Sequence, residues 1–588
     1  MTASSFEFSP DSPVEATMLG TVLSVRGSEA RVGLPAPALC EQLRATVGSF
    51  LAIAAGRHRL IGVVTEVASN DASGENRRHG AVARVDLTGE INLDAAGGER
   101  FSRGVSAYPA IGDAVRIIGR EELRLVYKAS GASAVNIGAL HNDDSIAAPL
   151  DLDNLLSKHF AVLGSTGVGK SSGVAVIVNE ILDARPELRI FLLDGHNEYG
   201  RCFGPRANIV NAATLKLPFW LFNFEEFVDA LYYGRPGVDE EVEILAEQIP
   251  IAKSLYQAHR ISTERATLRR IDPRSANYTV DTPVPYIMQD LVALIDERMG
   301  KLENRASRMR HHQLLMRIEG LRNDVRYAFM FENANVGGDT MGEILSYLFR
   351  LEPNGQPMTV LQVAGLPVEV VDAVVSLLCR LAFDFGLWSD GAMPMLFVLE
   401  EAHRYAAADR SVGFAPTRRA LLRVAKEGRK YGVCLGLVTQ RPADVDPSII
   451  SQCSTLFAMR MANDRDQALL RSAVTDAAAN LIAFVPSLAT RELVGFGEGF
   501  PLPTRLKFKT LAADRLPRSE TFQHAGPREP GDERAFVKAV IDRWRGAAGA
   551  KNSPGDDAGA NGDGAAKPAS APPVASRIEQ IRAQILKR

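Results

Sequence analysis

The chain has 588 residues, which at roughly 150 residues per domain allows about four domains. Apolar residues make up 46% and charged residues 23%, a balance that excludes a fibrous or generally disordered chain. Its 67 Lys and Arg stand against 70 Asp and Glu, a net charge of −3. The chain is therefore no basic nucleic-acid coat, and any DNA-facing surface must be a local patch.

The N-terminus, MTASSFEFSPDSPVEA, has neither a basic start nor an apolar run and does not read as a signal peptide. Residues 15–127 hold short apolar runs such as MLGTVLSV, FLAIAA, LIGVVTEV and AVRIIG, separated by Gly, Asn or Asp clusters. Many short strands with frequent turns predict a small barrel or sandwich, placed at residues 1–130. Residues 128–158 read as a connector. Beyond it, the apolar strands HFAVLG, LRIFLLD, TVLQVAG, MLFVLEE, VCLGLVTQ and STLFAMR alternate with helical stretches. That alternation predicts an α/β core with a mainly parallel sheet, over residues 131–215 and 341–500.

A charged helical stretch, residues 216–340, interrupts the core. Within it, residues 297–326 carry eight Lys or Arg against four Asp or Glu. This run reads either as a solvated helix face or as a phosphate-facing surface. Residues 546–575 are low in complexity and read as a disordered linker. After them, Ile578, Ile581 and Ile585 share one face of a short amphipathic helix at 576–588. Cys40, Cys202, Cys379, Cys434 and Cys453 form no CxxC pair and no zinc spacing, as expected of reduced thiols in a cytoplasmic protein. The most apolar stretch, residues 370–385, is broken by Asp372 and Arg380, so no membrane span is expected.

The strongest motif is GSTGVGKS at residues 164–171, between an apolar strand and a helical stretch. A phosphate cradle of Gly164, Ser165, Thr166, Gly167, Val168, Gly169, Lys170, Ser171 and Ser172 follows from it. Its N–H groups point inward, Lys170 neutralises β- and γ-phosphate charge, and the Ser171 hydroxyl ligates Mg²⁺. The cofactors expected are ATP and Mg²⁺. In MLFVLEEAH an apolar strand ends in two carboxylates, Glu400 to reach the metal through water and Glu401 to polarise the attacking water. Gln440 in VTQRP ends another strand, where it can sense the γ-phosphate. Arg429 in KEGRKYG is placed to reach a neighbouring subunit's site. In LLDGHNEYG, Asp194 and Glu198 are candidates for metal or water contact. His196 has no second His at ligand spacing, so a zinc site is not expected there.

HFAVLGSTGVGKS, LLDGHNEYG, LEEAH, EGRKYGVCLGLVTQRP and IISQCST together resemble the HerA family of DNA-translocating ATPases, in the HerA/FtsK superfamily. The resemblance covers about residues 15–515. It implies a HerA-type N-terminal β-barrel, a RecA-like P-loop core with a helical insertion, and a C-terminal brace at 501–545 that reaches the next subunit. It also implies a helicase-type ATPase working as a homohexameric ring around double-stranded DNA. The roles it implies are P-loop for Lys170 and Ser171, metal for Glu400, catalytic carboxylate for Glu401, sensor for Gln440 and trans-acting finger for Arg429. Its partners include a NurA-like nuclease or, in anti-phage defence, another effector such as a sirtuin-like NADase. The Glu400–Glu401 pair departs from the commoner Asp–Glu. Two other readings stay open: an ATP-regulated hexameric scaffold that activates a partner effector, and a polypeptide or conjugation-type pump.

Overall fold

A computed structural model describes residues 18–35, 46–56, 58–69, 79–93, 98–128, 133–264, 278–332, 334, 339–411, 413–474, 480–518 and 533–548. Strands β1 (Met18–Arg26), β2 (Glu29–Leu34), β3 (Phe50–Ala55), β4 (His58–Ser69), β5 (Ala81–Leu93), β6 (Glu99–Arg103) and β7 (Ala114–Ile117) form one sheet in the order β2-β1-β7-β3-β4-β5-β6. β2 also pairs antiparallel with β5, from Glu29 opposite Asp86 to Leu34 opposite Ala81. That pairing closes six strands into a barrel and leaves β6 attached to the outside of β5. Closure removes the free edges that short strands would otherwise expose.

The second sheet holds β8 (Ala134–Leu140), β9 (Asp143–Asp151), β10 (His159–Leu163), β11 (Arg189–Asp194), β12 (Ala207–Val210), β13 (Met358–Gln362), β14 (Met395–Leu399), β15 (Val433–Thr439), β16 (Cys453–Met459), β17 (Glu492–Gly497) and β18 (Thr504–Phe508). Their order is β12-β13-β11-β14-β15-β10-β16-β17-β18-β8-β9. From β12 to β16 the strands run parallel, and from β16 to β9 each pairs antiparallel with its neighbour. Every residue of β10, β14 and β15 is buried, as expected of parallel strands covered by helices on both faces. The stretch read as a connector contains the β8–β9 hairpin at the edge of this sheet. Residues 504–508, placed by resemblance near the start of a brace, form β18 of the chain's own sheet.

The helical insertion lies between β12 and β13, with long helices Asp239–Glu264, Met288–Gly300 and Arg305–Asn323. The basic run in it is largely paired within the molecule. Arg298 meets Glu247, Lys301 meets Glu297, Arg310 meets Glu240, Arg317 meets Glu241, and Arg326 meets Asp324. Five of its eight cations are thus engaged by carboxylates, which favours the helix-face reading of that run. The insertion is tied to the core through Glu226, fully buried, which accepts from Arg380 Nη2 at 2.9 Å and from Ser376 Oγ at 2.9 Å.

The helix Glu533–Ala548 runs past residue 545, where the sequence reading started its linker. The rest of that linker and the terminal helix at 576–588 lie outside the described residues. Among the described residues no helix is long and apolar enough to cross a membrane.

Candidate nucleotide-hydrolysis site

β10 ends at Leu163 and the chain turns into helix Lys170–Ala184. Gly167 and Gly169 hold φ of +76° and +95°, a left-handed backbone that side chains disfavour. A β-carbon at Gly164 would stand 2.8 Å from Met459 Cβ, so this position has no room for one. The helix carries no acidic residue in its first turn, leaving its N–H groups and dipole to an anion. Lys170 Nζ folds over the loop and donates to the Ser165 carbonyl at 2.9 Å. Burial pushes the Lys170 pKa down, against the pull of Glu401, Glu400 and Glu198.

Three carboxylates gather beside the loop. Asp194, at the end of β11, accepts the backbone N–H of Glu198 at 3.1 Å and of Tyr199 at 3.0 Å. It therefore shapes the turn that brings Glu198 in, and Glu198 Oε2 accepts the Ser171 hydroxyl at 2.7 Å. Glu400, just past β14, is buried and accepts the Gly195 N–H at 3.1 Å. Burial, then the charges of Asp194, Glu198 and Glu401, push its pKa up to about 9. Burial likewise raises Asp194. Crowded carboxylates hold protons until a cation replaces them, and hard oxygens beside a phosphate cradle suit Mg²⁺. Among the described residues no three His, Cys, Asp or Glu side chains stand as a ready cage. A magnesium ion here would rest on Ser171, the nucleotide phosphates and water, with Glu400 behind the water.

Glu401 adopts φ +52° and ψ +42°, a left-handed conformation in a residue that is not glycine. Strain of this kind concentrates at functional sites. Its Oε2 accepts from Gln440 Nε2 at 3.1 Å and lies 3.2 Å from His403 Nδ1, while its Oε1 lies 3.4 Å from His196 Nε2. Gln440 Oε1 in turn accepts the Thr166 hydroxyl. Burial pushes the His403 pKa down, favouring the neutral ring.

Lys170, Ser171, Asp194, Glu400, Glu401 and Gln440 all meet at the C-terminal edge of the parallel strands, where ligands of open α/β sheets bind. Arg429 does not join them. It sits in the turn Gly428–Tyr431 before β15, at the opposite edge of the sheet from Gln440. Seven strand residues, roughly 20 Å at ~3.3 Å each, separate the two. The exposed Arg429 cannot reach the site of its own chain.

Residues 135–382 match the family model of the central domain of helicase HerA. That stretch is similar to a HerA central domain. A DNA double-strand break repair helicase HerA of Pyrococcus furiosus is 25% identical over 466 residues, covering 71% of this chain and 77% of the relative. A protein of the same description from Sulfolobus acidocaldarius is 26% identical over 409 residues, 68% and 73% of the two chains. Among solved structures, VirB4 of Thermoanaerobacter pseudethanolicus is 15% identical, covers 66% of this chain and 98% of its own, and has a TM-score of 0.41. A bacterial conjugative coupling protein, TrwB, is 14% identical over 68% of this chain and 94% of its own, with a TM-score of 0.42.

Three residues at the site escaped the sequence reading as site residues. His403 lies within LEEAH, two residues past Glu401, so strand-end spacing was the signal for it. Arg460 follows β16, and its carbonyl accepts the Ser165 N–H at 2.9 Å. Arg491 precedes β17, and its N–H donates to the Val168 carbonyl at 2.9 Å. Neither arginine stands in a nucleotide-binding motif.

Proposed function

We propose that this chain couples ATP hydrolysis to movement along double-stranded DNA, as the names of its repair-helicase relatives suggest. The observation that carries the hydrolytic half is the link from Thr166 through Gln440 to Glu401, which joins the phosphate loop to a strained carboxylate. Lys170 and the loop N–H groups hold the phosphates. Glu401, oriented by Gln440, His403 and His196, polarises the attacking water. Magnesium, when bound, supplies charge neutralisation between the phosphates, with Ser171 and Glu400 placed to hold it. Gln440 then reports the γ-phosphate from β15 back to Glu401.

The assembly proposed is a homohexameric ring in the cytoplasm, with Arg429 of one subunit reaching the nucleotide of the next. Its exposure at the far edge of the sheet supports that role. In the proposed organisation the barrel (1–130) sits beside the ATPase core (131–215 and 341–500), the core carries the insertion (216–340), and residues 501–545 brace the neighbour. The ring would act in DNA end processing or anti-phage defence, with a nuclease or another effector such as an NADase as partner.

ATP hydrolysis measured with and without linear duplex DNA tests the reading, beside Lys170→Ala and Glu401→Gln. Stimulation by duplex in the wild type, and loss in both variants, is expected. Hydrolysis indifferent to duplex would overturn the DNA motor in favour of a scaffold or a polypeptide pump.

A further inference from the structure

Arg491 stands against the phosphate loop on the side away from the hydrolytic carboxylates. Around the loop-bearing strand the sheet runs β14-β15-β10-β16-β17. Glu400, Glu401 and Gln440 follow β14 and β15, so the γ-phosphate must face that flank. The other end of a bound nucleotide must then leave over β16 and β17. Arg491 is the residue immediately before β17.

Its backbone is locked to the loop. The Arg491 N–H donates to Val168, and its carbonyl accepts the Phe508 N–H at 3.0 Å. A β-carbon at Gly169 would stand 3.1 Å from Arg491 Cγ, so the arginine stem lies across this loop glycine. Arg491 also has φ +66°, a conformation in which glycine would cost nothing. A long cation therefore occupies a glycine-like position beside a phosphate cradle. Its guanidinium donates to a neutral partner, Thr510 Oγ1, at 2.5 Å and forms no ion pair among the described residues.

We propose that Arg491 binds the α-phosphate end of the nucleotide held by its own subunit. The inference rests on the nucleotide-hydrolysis reading above and adds a binding residue to that site. ATP and ADP share the α-phosphate, so Arg491 serves both equally and acts on binding, not on the chemical step. This separates it from Arg429, whose charge is needed only as the γ-phosphate leaves.

The test uses the full-length protein with a fluorescent ADP, alongside steady-state ATP hydrolysis and thermal melting. Arg491→Gly is the informative variant because glycine adopts φ +66° freely and leaves the turn intact. Loss of one charge-assisted contact predicts about tenfold weaker ADP binding and about tenfold higher KM for ATP, with kcat changed by less than about twofold. The Tm should hold or rise, and Arg491→Lys should recover much of the affinity. Unchanged ADP affinity in Arg491→Gly overturns the proposal. So does a loss accompanied by a lowered Tm and not relieved by lysine, since that marks a structural role. If the folded wild type binds no ADP, the nucleotide reading fails first and the inference with it. Binding by the wild type and equally by Arg491→Gly defeats the inference alone.

Discussion

Gln440 donates its amide Nε2 to Glu401 Oε2 at 3.1 Å. The two residues follow adjacent parallel strands, β15 and β14, so the contact depends on the register Leu399 opposite Leu437. Through its other amide atom Gln440 also takes the Thr166 hydroxyl. One side chain thus spans the phosphate loop and the carboxylate proposed to polarise water.

Removing that bridge should slow chemistry more than binding. Gln440→Ala is expected to lower kcat for ATP by about 10²-fold, the scale of misorienting a general base, with KM changed by only a few-fold. Steady-state hydrolysis at saturating ATP checks this. A variant that raises KM and keeps kcat would assign Gln440 to binding alone.

Glu400 makes the nucleotide-free protein sensitive to pH. Its carboxyl is raised from an ordinary 4.5 to about 9, so the folded state binds this proton more tightly than the unfolded chain. By linkage its stabilising contribution is fully present at low pH and is lost as pH rises through about 9. The Tm without nucleotide should fall from about pH 5 to about pH 9, and Glu400→Gln should flatten the slope because an amide does not titrate. Melting curves of both proteins across that range decide it.

Arg429, stranded at the far edge of the sheet, predicts a shared site. Arg429→Ala alone should lose about 10³-fold in kcat, as when an arginine finger is removed. ADP affinity should stay at the wild-type level. Rings mixed from wild-type and Arg429→Ala subunits should hydrolyse ATP more slowly than the average of the two pure proteins. A mixture that gives that average would make each subunit self-sufficient.

The ion pair between buried Glu226 and half-buried Arg380 predicts a fold effect remote from the site. Glu226→Ala leaves the Arg380 guanidinium with only Asp384, 4.0 Å away, and Ser376 without its acceptor, and should cost about 1–3 kcal/mol in denaturant unfolding. Adding a second replacement, Arg380→Ala, should cost less than the sum of the two singles, because the partners share one interaction.

Local texture carried much of the fold. Alternating apolar strands and helices marked the α/β core because buried parallel strands must be largely apolar, as β14 is throughout. The barrel was legible in its short runs, although its closure through β2 and β5 joins residues 47 to 57 positions apart. The basic run at 297–326 was visible as charge, but its meaning was not. Glu240, Glu241 and Glu247 neutralise three of its arginines from a helix earlier in the chain, and only packing sets them opposite.

By itself the sequence determined the chemistry available at the strand ends: a phosphate loop at 164–171, carboxylates at 194, 400 and 401, and an amide at 440. Each is a local event, because a strand that stops at a glycine or a carboxylate declares its own exposed end. The tertiary structure alone decided what those ends face. Strand order brought Gln440 to Glu401, set His196 and His403 on either side of the same carboxylate, and sent Arg429 to the opposite edge. It also laid Arg491 across Gly169, more than three hundred residues away in sequence, because β17 comes second from β10 in the sheet. Adjacency between strands distant in sequence is settled by the packing of whole faces, which no short motif contains.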